Sequence, residues 1–212
     1  MNLALFDFDG TLTVNDNYTA FIRFTRSRTR FILTMLLLLP VIIGYKTGLI
    51  SSTRTRVIVS RVAFGGYSQQ TLEEFGRRYA EEIIPQHVRK KGFVFAERHR
   101  GAGDRIVVVS ASLGSYLRHW CAAQGFECLC TELEAENGVM TGRYAGGDCT
   151  GEEKAARVRA NIKLDDYDTV FAYGDTSEDK ELLELAHRRF FRGAEVRDVP
   201  ANVNHCFNER EQ

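Results

Sequence analysis

Two aspartates one residue apart, Asp7 and Asp9, close a short apolar run that begins at Leu3 and are followed by Gly10 and Thr11. Cleavage of a phosphate ester needs a nucleophile, a proton donor for the leaving oxygen and positive charge around the transferring group. The two carboxylates can supply the first two. Period-two geometry in an extended chain sends both to the same side, and Gly10 lets the chain turn sharply beneath a phosphate. Asp-x-Asp alone is a common pair on a solvated face, so its weight depends on what accompanies it. Two further apolar runs also end in polar residues: Ile106 to Val109 is followed by Ser110, and Val170 to Tyr173 by Gly174 and Asp175.

These runs have the composition of buried strands that deliver polar groups at their carboxyl ends. Between them lie helical patterns over Leu113 to Gln124, stopped by Gly125, over Glu152 to Ile162, and over Glu178 to His187 behind a Thr-Ser cap region. Such alternation predicts an α/β fold with a doubly wound parallel sheet, whose ligands bind where the strands end. The three polar strand ends should therefore converge. Residues 15–90 interrupt the alternation with helical pieces: Asn17 to Arg28, an apolar run from Phe31, Thr55 to Ala63, and Thr71 to Ile84 before Pro85. We expect a helical cap over 15–90, inserted into a catalytic core formed by 1–14 and 91–212. Glu132 to Tyr144, centred on Asn137-Gly138, reads as a hairpin flanking the site.

In order along the chain, Asp7 to Thr11, the strand ending in Ser110, Lys154 within Gly151-Glu152-Glu153-Lys154, and Gly174-Asp175 followed by Asp179 resemble the four motifs of the haloacid dehalogenase superfamily of phosphatases. The resemblance covers nearly the whole chain and implies a Rossmann-like core. It also implies an aspartyl-phosphate formed on Asp7, with Asp9 protonating the leaving oxygen and then activating water. Mg2+ would be held by a carboxylate oxygen of Asp7, the backbone carbonyl of Asp9, and Asp175, with Asp179 in or just behind that set. Ser110 and Lys154 would bind phosphate oxygens, and Thr11 enters as part of the first motif. Each also has an ordinary structural role: a strand-end hydroxyl for Ser110, a solvated helix position for Lys154, a helix-start charge for Asp179.

Within the superfamily, the early insertion and the stretch from Thr131 to Lys154 resemble the branch of phosphoserine phosphatase and of the C-type phosphatidylglycerophosphate phosphatases. Two positions depart from the phosphoserine pattern. Asp16 stands where that enzyme has a Glu that reads an amine, and Ser110-Ala111-Ser112 replaces Ser-Gly-Gly. Asp16 and Ala111 join the candidate substrate-binding positions. The expected substrate is a phosphomonoester, with a lipid phosphate such as phosphatidylglycerophosphate ahead of a small soluble one such as phosphoserine. A membrane-associated binding module without turnover is the alternative from another class, and the complete set of Asp7, Asp9 and Asp175 argues against it.

Lys and Arg together number 28 and so do Asp and Glu, but the balance is uneven along the chain. Residues 17–72 contain Arg23, Arg26, Arg28, Arg30, Lys46, Arg54, Arg56 and Arg61 and no Asp, Glu or His. Inside this basic stretch, Phe31 to Gly44 is almost wholly apolar. At the helical rise it covers about 21 Å, short of the ~30 Å hydrocarbon layer of a bilayer, and Pro40 should kink it. It is either the buried helix of the cap or a shallowly inserted interfacial helix whose flanking arginines meet anionic head groups. Nucleic acid is not an expected partner, because these cations flank aliphatic rather than interleaved aromatic residues. The five cysteines, Cys121, Cys128, Cys130, Cys149 and Cys206, include no C-x-x-C pair, which argues against zinc and a disulfide framework. With aspartates inside the first ten residues where a signal peptide needs an apolar run, the expected location is the cytoplasm, with peripheral attachment at the inner face of a membrane as the extension of the interfacial reading.

Overall fold

A computed structural model describes residues 1–199, so Cys206 and the end of the core range expected to reach residue 212 lie outside it. The central strand β1 (Leu3–Phe6) is fully buried and pairs in parallel with β2 (Arg105–Leu113) on one side and β5 (Val170–Gly174) on the other. Beyond β2 lies parallel β3 (Glu127–Glu136), and beyond β5 parallel β6 (Arg188–Phe191). The edges, β4 (Val139–Ala145) and β7 (Ala194–Val196), run antiparallel, so the seven-stranded sheet is mixed, with order β4-β3-β2-β1-β5-β6-β7. Both edge strands arise from two-residue hairpins. Asn137-Gly138 and Arg192-Gly193 all have positive φ, the conformation whose twist suits tight antiparallel connections.

Alternation along the strands builds two cores. Leu3, Leu5, Val107 and Val109 face Val158 of α7 (Glu152–Asn161) and Leu182 and Leu183 of α8 (Lys180–Glu184). Ala4, Phe6 and Val108 face the other way, toward α5 (Lys90–Gly101) and α6 (Gly114–Gln124), whose Trp120 is buried there. Helices on both faces confirm the doubly wound α/β architecture. The sequence overestimates the helix after β5. A 3-10 turn over Ser177–Asp179, opened by a capping box in which the Asp179 carboxylate accepts from the Thr176 backbone N–H and hydroxyl, precedes α8, which ends at Glu184.

The chain between β1 and α5 forms α1 (Asn17–Phe24), α2 (Arg28–Lys46), α3 (Ser52–Phe64) and α4 (Gln69–Glu82). Asp16, Ser27, Ser51 and Ser68 cap them in turn through side-chain oxygens that accept N–H bonds from the first turn. Phe21, Phe64, Leu72 and Tyr79 join the same hydrophobic cluster as Phe6 and Trp120, so these helices pack directly on one face of the core. Helix α2 continues through Pro40 and buries only Leu38 and Gly44. Ile32, Leu33, Leu36, Leu37, Leu39 and Ile43 remain exposed, so α2 is not an enclosed core helix.

Helices α4 and α6 meet at Gly76, where an added Cβ would lie 1.8 Å from the backbone oxygen of Ser115. Backbone cannot give way there as a flexible side chain could. Gly76→Ala should therefore push the helices apart at a cost of ~1–3 kcal/mol, read as a lowered Tm, whereas alanine at the open Gly101 should leave Tm unchanged or slightly raised.

Candidate active site

The carboxyl ends of β1, β2 and β5 do converge. At the centre is Lys154 on the first turn of α7, buried to 3% exposure, whose Nζ donates to Asp7 Oδ1 at 2.6 Å and Asp179 Oδ1 at 2.5 Å. Asp7 follows β1, and its N–H donates to Tyr173 O of β5 at 2.9 Å, so the strand pairing itself fixes the nucleophile candidate. Asp179 holds the loop after β5: its Oδ2 accepts from the N–H groups of Asp175 at 3.1 Å and Thr176 at 3.0 Å. Thr11 donates to Asp175 Oδ1 at 3.2 Å and so holds a carboxylate. Gly10, at φ 87°, makes room for that carboxylate, since a Cβ would sit 2.2 Å from Asp175 Oδ2.

Oxygens of Asp7, Asp175 and Asp179 all lie within 4.8 Å of one another. Burial and the neighbouring Asp179 push the Asp7 carboxyl well above the usual carboxylate range, against the opposing pull of Lys154. For Asp179, burial is outweighed by Lys154 and the backbone N–H bonds, and its pKa falls. The ammonium is driven the other way: burial alone would lower its pKa, but the two aspartates raise it, so Lys154 is charged. Three carboxyl groups beside one ammonium gather their oxygens into one cage. That is the donor set of a hard divalent cation.

Asp9 occupies a separate cage. Its Oδ1 accepts from the Asn17 side-chain amide at 2.6 Å and backbone N–H at 3.0 Å, while its Oδ2 accepts from Ser112 Oγ at 2.6 Å. Burial, and then Asp16, raise its pKa. The Asp16 carboxylate itself caps α1, accepting from Tyr18 N and Thr19 N. Ser110 is 1% exposed and its Oγ accepts the Ser112 N–H at 3.1 Å. Ala111 presents its carbonyl to Arg56 Nη2 at 2.6 Å, and Arg56 Nε donates to Asp148 Oδ2 at 2.7 Å.

Asn17, Arg56, Ser112 and Asp148 are neighbours of the site that the sequence motifs did not single out for a role. Ser112 could have been found from the Ser-x-Ser pattern at the end of β2. Arg56 registers in the sequence only as one cation among many, and Asp148 carries no local signal at all.

A model described as haloacid dehalogenase-like hydrolase matches residues 4–184. Protein CicA of Caulobacter vibrioides is 31% identical over 196 residues, covering 90% of this chain and 87% of CicA. A histidinol-phosphatase of Neisseria meningitidis serogroup C is 29% identical over 126 residues, covering 56% of this chain and 57% of that protein. Among solved structures, a protein of unknown function from Bordetella pertussis Tohama I superimposes with a TM-score of 0.77 at 22% identity, covering 89% of this chain and 88% of that one. A probable phosphoserine phosphatase from Vibrio cholerae superimposes with a TM-score of 0.68 at 13% identity, covering 90% and 55%. With motif order, fold, converging aspartates and a family model spanning most of its length in agreement, the chain belongs to the haloacid dehalogenase-like hydrolases.

Proposed function

We propose that this hydrolase is a phosphatase that removes phosphate from a phosphomonoester through an aspartyl-phosphate on Asp7, with Mg2+ as its cofactor. The observation that carries this reading is Lys154 bridging Asp7 and Asp179 beside Asp175. One cation holds the nucleophile's Oδ1 and fixes the rotation of its carboxylate. Asp7, Asp175 and the Asp9 backbone carbonyl would hold Mg2+, with Asp179 behind them, and the ion would neutralise charge on the phosphoryl group. Ser110 and Lys154 are the phosphate-binding groups, and Lys154 supplies the fixed positive charge that a phosphoryl anion needs in a buried site. Asp9 protonates the leaving oxygen and then draws a proton from the attacking water.

The substrate we favour is a lipid phosphate reached at an anionic membrane surface through residues 17–72. The support is α2: a 19-residue helix long and apolar enough by composition to cross a membrane, with 11% of its apolar window buried. Leu33 and Leu37 are 60% and 66% exposed and line, with Arg26 and Arg30, an open groove of about 630 Å³. Aliphatic side chains beside cations, with no acidic residue across 17–72, suit acyl chains below phosphate head groups.

Asp7→Asn should abolish phosphate release from every substrate, because an amide of nearly the same volume has no anionic oxygen to attack with; normal release would remove Asp7 from the chemistry. A panel of phosphatidylglycerophosphate, phosphatidic acid, phosphoserine, histidinol phosphate and an aryl phosphate identifies the leaving group, and preference for a soluble ester would exclude the lipid reading. Mg2+ at about a hundredfold over its Kd should stabilise the fold by ~2.7 kcal/mol, seen as a Tm rise in a scan against chelator. Asp175→Asn should abolish that rise, and a rise that persists would take Asp175 out of the ion's ligands. In a vesicle sedimentation assay, the Leu33→Ser/Leu37→Ser double variant should lose binding to anionic vesicles and hydrolysis of the lipid phosphate together, while aryl phosphate hydrolysis persists. Equal losses on both substrates would count against membrane docking.

A further inference from the structure

Of the eight cations in residues 17–72, Arg56 alone pairs with a carboxylate among the described residues, and it does so across the boundary between the insertion and the core. Its Nε donates to Asp148 Oδ2 at 2.7 Å and its Nη2 to the Ala111 carbonyl at 2.6 Å, while the guanidinium lies 4.8 Å from the Tyr18 ring. The anchor is itself held: the Asp148 side chain is 2% exposed, and its Oδ1 accepts from Thr131 Oγ1 of β3 at 3.0 Å. The carbonyl that Arg56 reaches lies at an irregularity of β2. The register to β3 jumps from Ser110 opposite Cys130 to Leu113 opposite Thr131, so Ala111 and Ser112 have no facing residue. Strand pairing therefore does not fix the peptide group between them.

A trans peptide group is planar, with its C=O and N–H pointing opposite ways, so a partner on one end aims the other. Arg56 holds the Ala111 C=O, and the N–H of the same peptide group, on Ser112, donates to Ser110 Oγ at 3.1 Å. A serine oxygen that accepts such a bond keeps its own hydrogen to donate. We propose that Arg56 is a positioning residue through which the inserted helices set the Ser110 hydroxyl, by turning the Ala111–Ser112 peptide group so that Ser110 accepts from Ser112 and offers its hydrogen to a phosphoryl oxygen. The inference rests on the phosphatase reading above, in which Ser110 binds phosphate. Without the guanidinium this peptide group is free to rotate, the Ser112 N–H leaves Ser110 Oγ, and the hydroxyl loses its orientation. Arg56 thus acts on the phosphoryl group that every ester shares and not on the leaving group.

The test measures binding of inorganic phosphate in Mg2+ by calorimetry, beside hydrolysis of phenyl phosphate and 3-carboxyphenyl phosphate. Arg56→Met keeps an unbranched side chain against Tyr18. It should weaken phosphate binding about tenfold, the worth of one hydrogen bond to an anion, and lower kcat/KM for both esters alike. In a Ser110→Ala background the same substitution should cost nothing further, because the two residues act in series. Arg56→Lys keeps the charge beside Asp148 but lacks the fork that serves both acceptors, so it should also weaken phosphate binding, and it carries the test if Arg56→Met does not fold. Unchanged phosphate affinity in a folded variant, or losses that add to that of Ser110→Ala, would overturn the inference while leaving the phosphatase reading intact. A loss confined to the carboxylated ester would overturn it too, by making Arg56 a reader of the leaving group. Failure of the unaltered protein to hydrolyse phenyl phosphate in Mg2+, or full activity in Asp7→Asn, would overturn the phosphatase reading and the inference with it.

Discussion

A single buried ammonium sets the arrangement of the site. Lys154 lies between Asp7 and Asp179 and offsets part of the cost of burying them, since an unpaired charge in a low-dielectric interior costs several kcal/mol. The dependence is mutual, because Lys154 keeps its proton only through the two aspartates. Through Asp179 the same cation also organises the loop after β5, whose N–H groups turn inward to Asp179 Oδ2 and so aim Asp175 at Asp7. Three segments far apart in sequence are pinned to one another by two short bonds.

A second tie joins the inserted helices to the core. Arg56 of α3 reaches the Ala111 carbonyl and Asp148, and its guanidinium also lies 4.8 Å from the Tyr18 ring of α1. Tyr18 OH and Tyr144 OH both reach the Arg56 carbonyl at 3.3 Å. The end of β2, which carries Ser110 and Ser112, is thus braced from above by α3 and from the side by α1 and α6. Asp9 shares this dependence, because its donors come from α1 and from β2. The hydrogen-bond cage of Asp9 and the insertion are mechanically linked even though they are separate in the sequence.

The strands that place Asp7, Ser110 and Asp175 were legible because each is a continuous apolar run with polar residues at its end, and burial on both faces enforces that composition. The hairpin at Asn137-Gly138 was legible because few residue pairs tolerate positive φ twice. The early end of α8 at Glu184 was not, and neither was the 3-10 turn before it, where Asp179 bonds the loop and Lys154. The course of α2 was only partly legible. An all-round apolar pattern does not say which face is covered, and α2 runs on through Pro40. The cage around Asp9 was hidden because Asn17, Ser112 and Asp9 meet only when α1 and β2 are brought together, and side-chain hydrogen bonds of that reach leave no periodicity behind.

The central position of β1 has a consequence for the order in which the molecule can assemble. Leu3 pairs with Arg105 on one side and with Val170 on the other, so the first strand to be made waits for partners separated from it by half and by most of the described chain. During synthesis, Leu3 to Phe6 must remain an unpaired apolar segment while α1 to α4 form behind it from local contacts. The strand that leads into Asp7 therefore gains its second neighbour only once β5 has been made. A nascent chain arrested before β5 would hold a helical insertion and half a sheet, with one apolar edge of β1 open to whatever chaperone or neighbouring strand reached it first.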